Sequence, residues 1–261
     1  MPIHPSSIVA EGAIIPSSAT VGPFCIVGPN VTLGEGCELL SHVVLEGRTT
    51  LADRVRVHPF ACVGISPQDL KYQGEPTGCE IGHDTVIRES VTISRGTEGG
   101  GGVTRVGANC LIMAYAHIGH DSQIGNGVIL ANGATLAGHV TVEDYAVVGA
   151  LNPVHQYCTV GKHAYIGGGT TITQDVLPYS LTSVERNNHA YGLNKVGLQR
   201  RGFTPEDLRE LSTAMRILVG GKHNTTQALE MIHDMLAQGA GNEHVRYLAD
   251  FVAKSERGVI K

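Results

Sequence analysis

Three positions in this sequence are spaced by 18: His120, Gly138 and Gln156. A second set runs one residue on, Asp121, His139 and Tyr157, with His155 beside Gln156. These residue types suit acyl transfer. An imidazole, whose pKa lies near neutrality, can take a proton from a hydroxyl. A neighbouring carboxylate holds the ring in the useful tautomer. A glycine lets a backbone N–H approach a developing oxyanion, because no Cβ stands in the way. No serine or cysteine nucleophile is needed when the acceptor hydroxyl attacks directly. All of this requires residues 18 apart to lie together in space.

The repeat that carries them supplies that condition. An aliphatic residue stands at every sixth position from Val9 through Ile15, Val21, Val27, Leu33, Leu39, Leu45, Leu51 and Val57 to Val63. The pattern resumes at Ile81, Ile87 and Ile93, and again from Val106 to Ile172. Four residues after each aliphatic position stands a small or β-branched one, such as Ala19, Cys25, Val31, Cys37 and Val43, with Asn152 the poor member. A period of six fits neither a 3.6-residue helix nor a simple alternating sheet. It fits three short strands per turn of a prism, with 18 residues to a coil and coils stacked at about the 4.8 Å strand spacing. This is a parallel β-helix. Glycine often follows the aliphatic residue, as at Gly22, Gly28, Gly34, Gly107, Gly119 and Gly125, where the chain is expected to turn.

Composition agrees. Aromatics are 5% with no Trp, and charged residues 16%, so the core must be filled by small aliphatic side chains in layers. A net charge of −5 argues against a dedicated nucleic-acid binder. No run of 18 apolar residues marks a membrane span and no signal peptide is evident. The 6 cysteines lack a pairing pattern, which fits a reducing, cytoplasmic setting. Four of them, Cys25, Cys37, Cys110 and Cys158, take the small inward position.

Residues 1–184 therefore read as prism, interrupted by loops at 65–80 and 98–105, and residues 185–261 as a helical domain. The first loop clusters Gln68, Asp69, Lys71 and Tyr72, and the four glycines at 99–102 read as a flexible segment. Helices are expected over 204–221, 224–239 and 242–258. The first has Thr204 as N-cap, Pro205 at the first helical position and a Gly220–Gly221 stop.

On the residues alone other readings stay open. His117, His120 and His139 would suit zinc, as in a hydrase, although His117 and His120 fall at different phases of the repeat. A histidine at a β-helix turn is also tolerated without any role, and a β-helix can serve as a scaffold.

The segments QDLKYQGEPT, IRESVTISRGT, MAYAHIGHD, ILANGATLAGHV, VHQYC, QDVLPY and GLNKVGLQRRGF closely resemble the UDP-N-acetylglucosamine O-acyltransferases that begin lipid A biosynthesis. The resemblance spans essentially the whole chain. It implies a left-handed parallel β-helix of hexapeptide repeats with a C-terminal α-helical domain. The hand is taken from the family, since the general crossover rule gives the opposite one. It implies a homotrimer with active sites at subunit interfaces, no metal and no cofactor. The (R)-3-hydroxyacyl group of acyl carrier protein would move to the glucosamine 3-hydroxyl of a UDP-sugar. By matching position, His120 is the general base, Asp121 orients it and the Gly138 N–H receives the oxyanion. His117, His139, His155 and Gln156 line the sugar-nucleotide and thioester site, and Gln68, Asp69 and Lys71 contact substrate. Asn194, Arg200 and Arg201 reach the UDP. Lys195, Arg200, Arg201, Arg216 and Lys222 offer basic charge to an acidic carrier protein. Ser94 replaces the family's usual His and Val196 its usual acid, which leaves nucleoside affinity and acceptor identity open. The 3-amino analogue of the acceptor and the sister N-acyltransferase activity are the alternatives. Gly168 stands where some relatives place a bulky residue, which favours a longer acyl chain.

Overall fold

A computed structural model describes residues 3–185, 187–221 and 223–261. The first two-thirds of the chain winds as a left-handed, three-sided parallel β-helix. Its faces are sheets of 8, 7 and 10 strands. Most strands are two residues long, the first turned outward and the second inward, as in His117–Ile118 and Thr135–Leu136. The register is the sequence period: Ile118 lies beside Leu136, and Leu136 beside Val154. The inward aliphatics form one continuous core, fully buried at Leu45, Val63, Ile93, Ile118 and Leu136. Each such side chain contributes about 1.5–3 kcal/mol by leaving water.

The corners explain several sequence features. The residue three after the aliphatic one takes a positive φ at most corners, as at Asp121 (61°), His139 (60°), Tyr145 (62°) and Tyr157 (64°). Non-glycine residues are strained there. Rings at this position stack on one another, Tyr145 on His163 at 5.0 Å and His139 on Tyr157 at 4.5 Å, which offsets part of the strain. The glycine directly after the aliphatic residue has a different cause from the turn conformation expected of it. Gly119 has no positive φ, but a Cβ on it would lie 2.6 Å from the carbonyl carbon of Ala137 on the next coil. Close approach of backbones, not turning, selects glycine there. The small inward position also has its own logic. Cys25, Cys37, Cys110, Ser122 and Asn152 each donate to a carbonyl 15 residues on, at 2.8, 3.0, 3.1, 3.2 and 2.9 Å. Asn152 is therefore a satisfied buried amide rather than a defect, and its Oδ1 accepts from Thr170 N at 2.7 Å.

Both loops leave the same corner. One separates strands Cys62–Ile65 and Gly78–Ile81, the other Thr92–Ser94 and Val103–Val106. That corner is the one that carries Gly119, His120 and Asp121, between strands His117–Ile118 and Gln123–Ile124.

Below the prism an antiparallel hairpin, Ser180–Glu185 with Asn187–Leu193, extends the 10-stranded sheet. Four helices follow: α1 (Lys195–Arg200), α2 (Pro205–Val219), α3 (Thr225–Ala237) and α4 (Glu243–Lys254). Capping boxes Thr204/Asp207 and Asn224/Gln227 start α2 and α3. The hairpin and α1 carry no strong signal in the sequence. The helices share a second core around Leu177, Tyr179, Leu198, Leu211 and Leu248. The C-terminal Ile260 turns back into the prism core, its N–H on Asp175 O at 2.9 Å.

Candidate active site

Stacking of coils at the loop-bearing corner places His120 directly against Gly138. The His139 N–H donates to the His120 carbonyl at 2.9 Å and the Tyr157 N–H to the Gly138 carbonyl at 3.4 Å, so three coils are pinned in one column. A Cβ on Gly138 would lie 2.6 Å from both Cε1 and Nε2 of His120. The imidazole thus covers the glycine's backbone. At the equivalent corner positions of Glu35, Ala108 and Asn126, the backbone N–H is taken by the side chain 18 residues on, Asp53, Asn126 and Asp144, at 2.9, 2.8 and 2.6 Å. The residue 18 on from Gly138 is Gln156. Among the described residues no hydrogen bond uses the Gly138 N–H. It is available to an incoming oxygen.

Asp121 is built to orient His120. Its side chain is fully buried, and Oδ2 lies 2.8 Å from His120 Nδ1. A carboxylate there favours the Nδ1–H tautomer and leaves Nε2 as the acceptor. Thr97 donates to the same carboxylate twice, from N to Oδ1 at 2.9 Å and from Oγ1 to Oδ2 at 2.6 Å. The Asp121 N–H donates to Thr104 Oγ1 at 2.8 Å. Gly100 lies flat on the carboxylate, where a Cβ would overlap Oδ2. Thr97 and Gly100 thus clamp this loop onto Asp121, a contact its composition does not suggest. Thr97, Gly100 and Thr104 are neighbours of the candidate site that sequence reasoning missed. The spacing of loop and column gives no sign of their contact, because the loop interrupts the repeat.

His139 extends the cluster, its ring edge-on to His120 at 5.0 Å and its Nε2 4.0 Å from Asp121 Oδ2. His120, Asp121 and His139 are the described group whose atoms could hold a metal. His117 is not part of it. Its Nδ1 is 2.8 Å from Thr92 Oγ1, and burial, with help from nearby His120, pushes its pKa down and keeps it neutral. His155 and Gln156 are exposed on the same corner, one coil below Gly138. Ser94 Oγ is buried without a hydrogen-bond partner.

Gln68, Asp69 and Lys71 lie on the first loop above this corner, Gln68 and Lys71 exposed. Arg95 ties that loop down, bonding Tyr72 Oη at 2.9 Å, Gly64 O at 2.8 Å and Ser66 Oγ at 3.0 Å. Asn194, Arg200 and Arg201 are elsewhere. They line a pocket of about 750 Å³ with Tyr145, His163 and Val196, across a face of the prism from His120. Asn194 caps α1, accepting from Gly197 N at 3.2 Å and donating to His163 O at 3.1 Å. The Arg201 guanidinium lies over the Tyr145 ring at 4.1 Å. That pocket holds cations and apolar surface but no carboxylate, and Val196 is exposed in it. Lys195 and Arg200 are exposed around it, Arg216 lines the next pocket, which shares Lys195, and Lys222 lies outside the described residues. Gly168 packs near Ala150 on the third corner.

A prism of hexapeptide coils with an oriented imidazole against a free backbone N–H defines a hexapeptide-repeat acyltransferase. Residues 104–138 match the model of the bacterial transferase hexapeptide, and residues 175–260 that of UDP-N-acetylglucosamine O-acyltransferase, domain 2. The acyl-[acyl-carrier-protein]–UDP-N-acetylglucosamine O-acyltransferase of Thermodesulfovibrio yellowstonii is 43% identical over 259 residues, 99% of both chains. The solved Francisella novicida UDP-N-acetylglucosamine acyltransferase superposes with a TM-score of 0.94 at 38% identity, covering 99% of this chain and 93% of that one. The Campylobacter jejuni UDP-N-acetylglucosamine acyltransferase does so with a TM-score of 0.91 at 36% identity, covering 99% and 98%. The chain belongs to the UDP-N-acetylglucosamine O-acyltransferase family.

Proposed function

We propose that this enzyme transfers an (R)-3-hydroxyacyl group from acyl carrier protein to the glucosamine 3-hydroxyl of UDP-N-acetylglucosamine, the first step of lipid A biosynthesis. The names of its full-length relatives support the substrates. The observation that carries the mechanism is the place of His120 Nε2 beside Gly138, 2.6 Å from where a Cβ on that residue would stand. Nε2 takes the proton of the 3-hydroxyl as its oxygen attacks the thioester carbon. The carbonyl oxygen becomes an oxyanion and accepts the Gly138 N–H. The intermediate collapses, the C–S bond breaks, and the imidazolium returns its proton to the leaving thiolate. The Asp121 carboxylate, 2.8 Å from Nδ1, steadies the imidazolium. The neutral His117, with His139, His155 and Gln156, borders the reacting groups, and Gln68, Asp69 and Lys71 close over them.

Asn194, Arg200 and Arg201 suit the UDP, since guanidinium forks match phosphate oxygens. In one chain they sit on a different edge from His120. A site that uses both sets has to form between copies, which supports a homotrimer with three active sites at its interfaces. No described helix is long and apolar enough to cross a membrane. The 6 unpaired thiols suit the reducing cytoplasm, where acyl carrier protein works.

The test is purified protein with UDP-N-acetylglucosamine and a panel of 3-hydroxyacyl carrier proteins, products weighed by mass spectrometry. An O-acylated sugar nucleotide is expected, and its absence across the panel overturns the reading. His120→Gln should lower turnover by about 10²–10⁴-fold with an unchanged melting temperature. Near-normal turnover removes His120 from the mechanism.

A further inference from the structure

The clamp on Asp121 has more hydrogen bonds than orientation of an aspartate needs. Its carboxylate accepts from Thr97 N, Thr97 Oγ1 and His120 Nδ1, at 2.9, 2.6 and 2.8 Å. The last two meet on the same oxygen, Oδ2. The side chain is sealed from solvent, so water does not compete for that oxygen. Residues at the two ends of one loop hold the aspartate from both sides, Thr97 on the carboxylate and Thr104 on the backbone N–H. Gly100 closes the space between them.

We propose that Thr97 is a positioning residue of the acyl transfer, and that its hydroxyl, through the shared Asp121 oxygen, fixes the aim of the His120 ring over Gly138. This rests on the reading of His120 as the base. A hydrogen bond to a charged carboxylate is short and directional, so the hydroxyl sets where Oδ2 stands. Oδ2 in turn sets the direction of the His120 Nδ1 contact and so aims Nε2. Without the hydroxyl the carboxylate keeps only the Thr97 N–H, on Oδ1, and Oδ2 can turn toward His139 Nε2, 4.0 Å away. The His120 ring then loses its fixed aim over Gly138.

The other groups around the pair are held by partners of their own. His139 lies edge-on to His120 and is stacked on Tyr157, and His117 is held by Thr92. On the loop, Glu98 is exposed and Arg95 is bonded to Tyr72, Gly64 and Ser66. On the adjoining strand Arg105 is paired with Glu80. None of them is within hydrogen-bond distance of the Asp121 carboxylate, His139 Nε2 lying 4.0 Å away.

The experiment compares Thr97→Val, which keeps shape and backbone N–H, with Thr97→Ser, which keeps the hydroxyl. In the full-length enzyme Thr97→Val should lower kcat by roughly 10- to 100-fold, as for loss of one hydrogen bond to a charged group. Both KM values should stay unchanged. Thr97→Ser should restore kcat. A loss of kcat that Thr97→Ser does not restore, or a KM that rises as far as kcat falls, would mark a general loosening of the loop, and either result overturns the proposal. So does near-normal kcat in Thr97→Val. If His120→Gln is inactive while Thr97→Val is normal, only the Thr97 proposal fails. If His120→Gln is active, the base assignment itself fails.

Discussion

The Nε2 edge of His120 occupies the space in which a side chain on residue 138 would begin, 2.6 Å from the ideal Cβ position. Base and oxyanion donor are therefore coupled by sterics as well as by chemistry. Gly138→Ala cannot keep the imidazole where it is, because the nearest atoms to that Cβ, at 2.6, 2.6 and 3.2 Å, all belong to the His120 ring. Turnover should fall by at least about 10²-fold, the usual effect of taking a general base out of place. Since the corner is partly open, folding should change little. A crystal structure of the variant with His120 in its original place and normal turnover would refute the coupling.

Gly119 tests the coil packing separately from the chemistry. A methyl there would meet Ala137 C at 2.6 Å and Gly138 N at 2.7 Å. Neither backbone can move without opening the strand ladder. Gly119→Ala should destabilise by about 1–3 kcal/mol, the range for overpacking. The melting temperature should fall by several degrees. An unchanged value would mean that neighbouring coils separate more easily than their hydrogen bonds indicate.

Stability should carry a pH signature from His163. Burial, reinforced by Arg201, Lys162 and His244, pushes its pKa down to about 4 from the ordinary 6.5. The unfolded chain then takes up a proton between about pH 6.5 and 4 that the folded chain refuses. This contribution is complete above pH 6.5 and is lost as pH falls toward 4. His163→Phe keeps a ring between Tyr145 and Tyr179 but cannot titrate. Its melting temperature should vary less with pH across that window. Identical slopes for the two proteins would rule out the contribution.

Lys195, Arg200 and Arg201 are exposed around one pocket and Arg216 lines the next, which shares Lys195, and an acidic carrier protein would feel their combined field. Screening shortens that field at about 0.1 M salt to roughly 10 Å. The KM for acyl carrier protein should therefore rise as salt is increased, and Arg216→Glu should raise it further. A KM for the carrier that ignores salt removes this surface from docking.

Much of the molecule can be read from the chain alone. The hexad period gives the coil, the core positions and the column of His120, Gly138 and Gln156, because a β-helix translates distance along the chain directly into neighbourhood in space. Each coil contacts only the next, so a local count is also a tertiary one. The capped helices are legible for the same reason: caps and breakers act within a few residues. The departures begin where the repeat stops setting distance. Nothing in the spacing joins Thr97 and Gly100 to Asp121, since that loop leaves the period and returns to it. Nor does it show that Asn194, Arg200 and Arg201 stand across a face from His120, because the hairpin and α1 that place them lie outside the repeat. The choice of glycine at Gly119, the partner of Asn152 and the open N–H of Gly138 depend on how closely two backbones pass, which only the assembled coils decide.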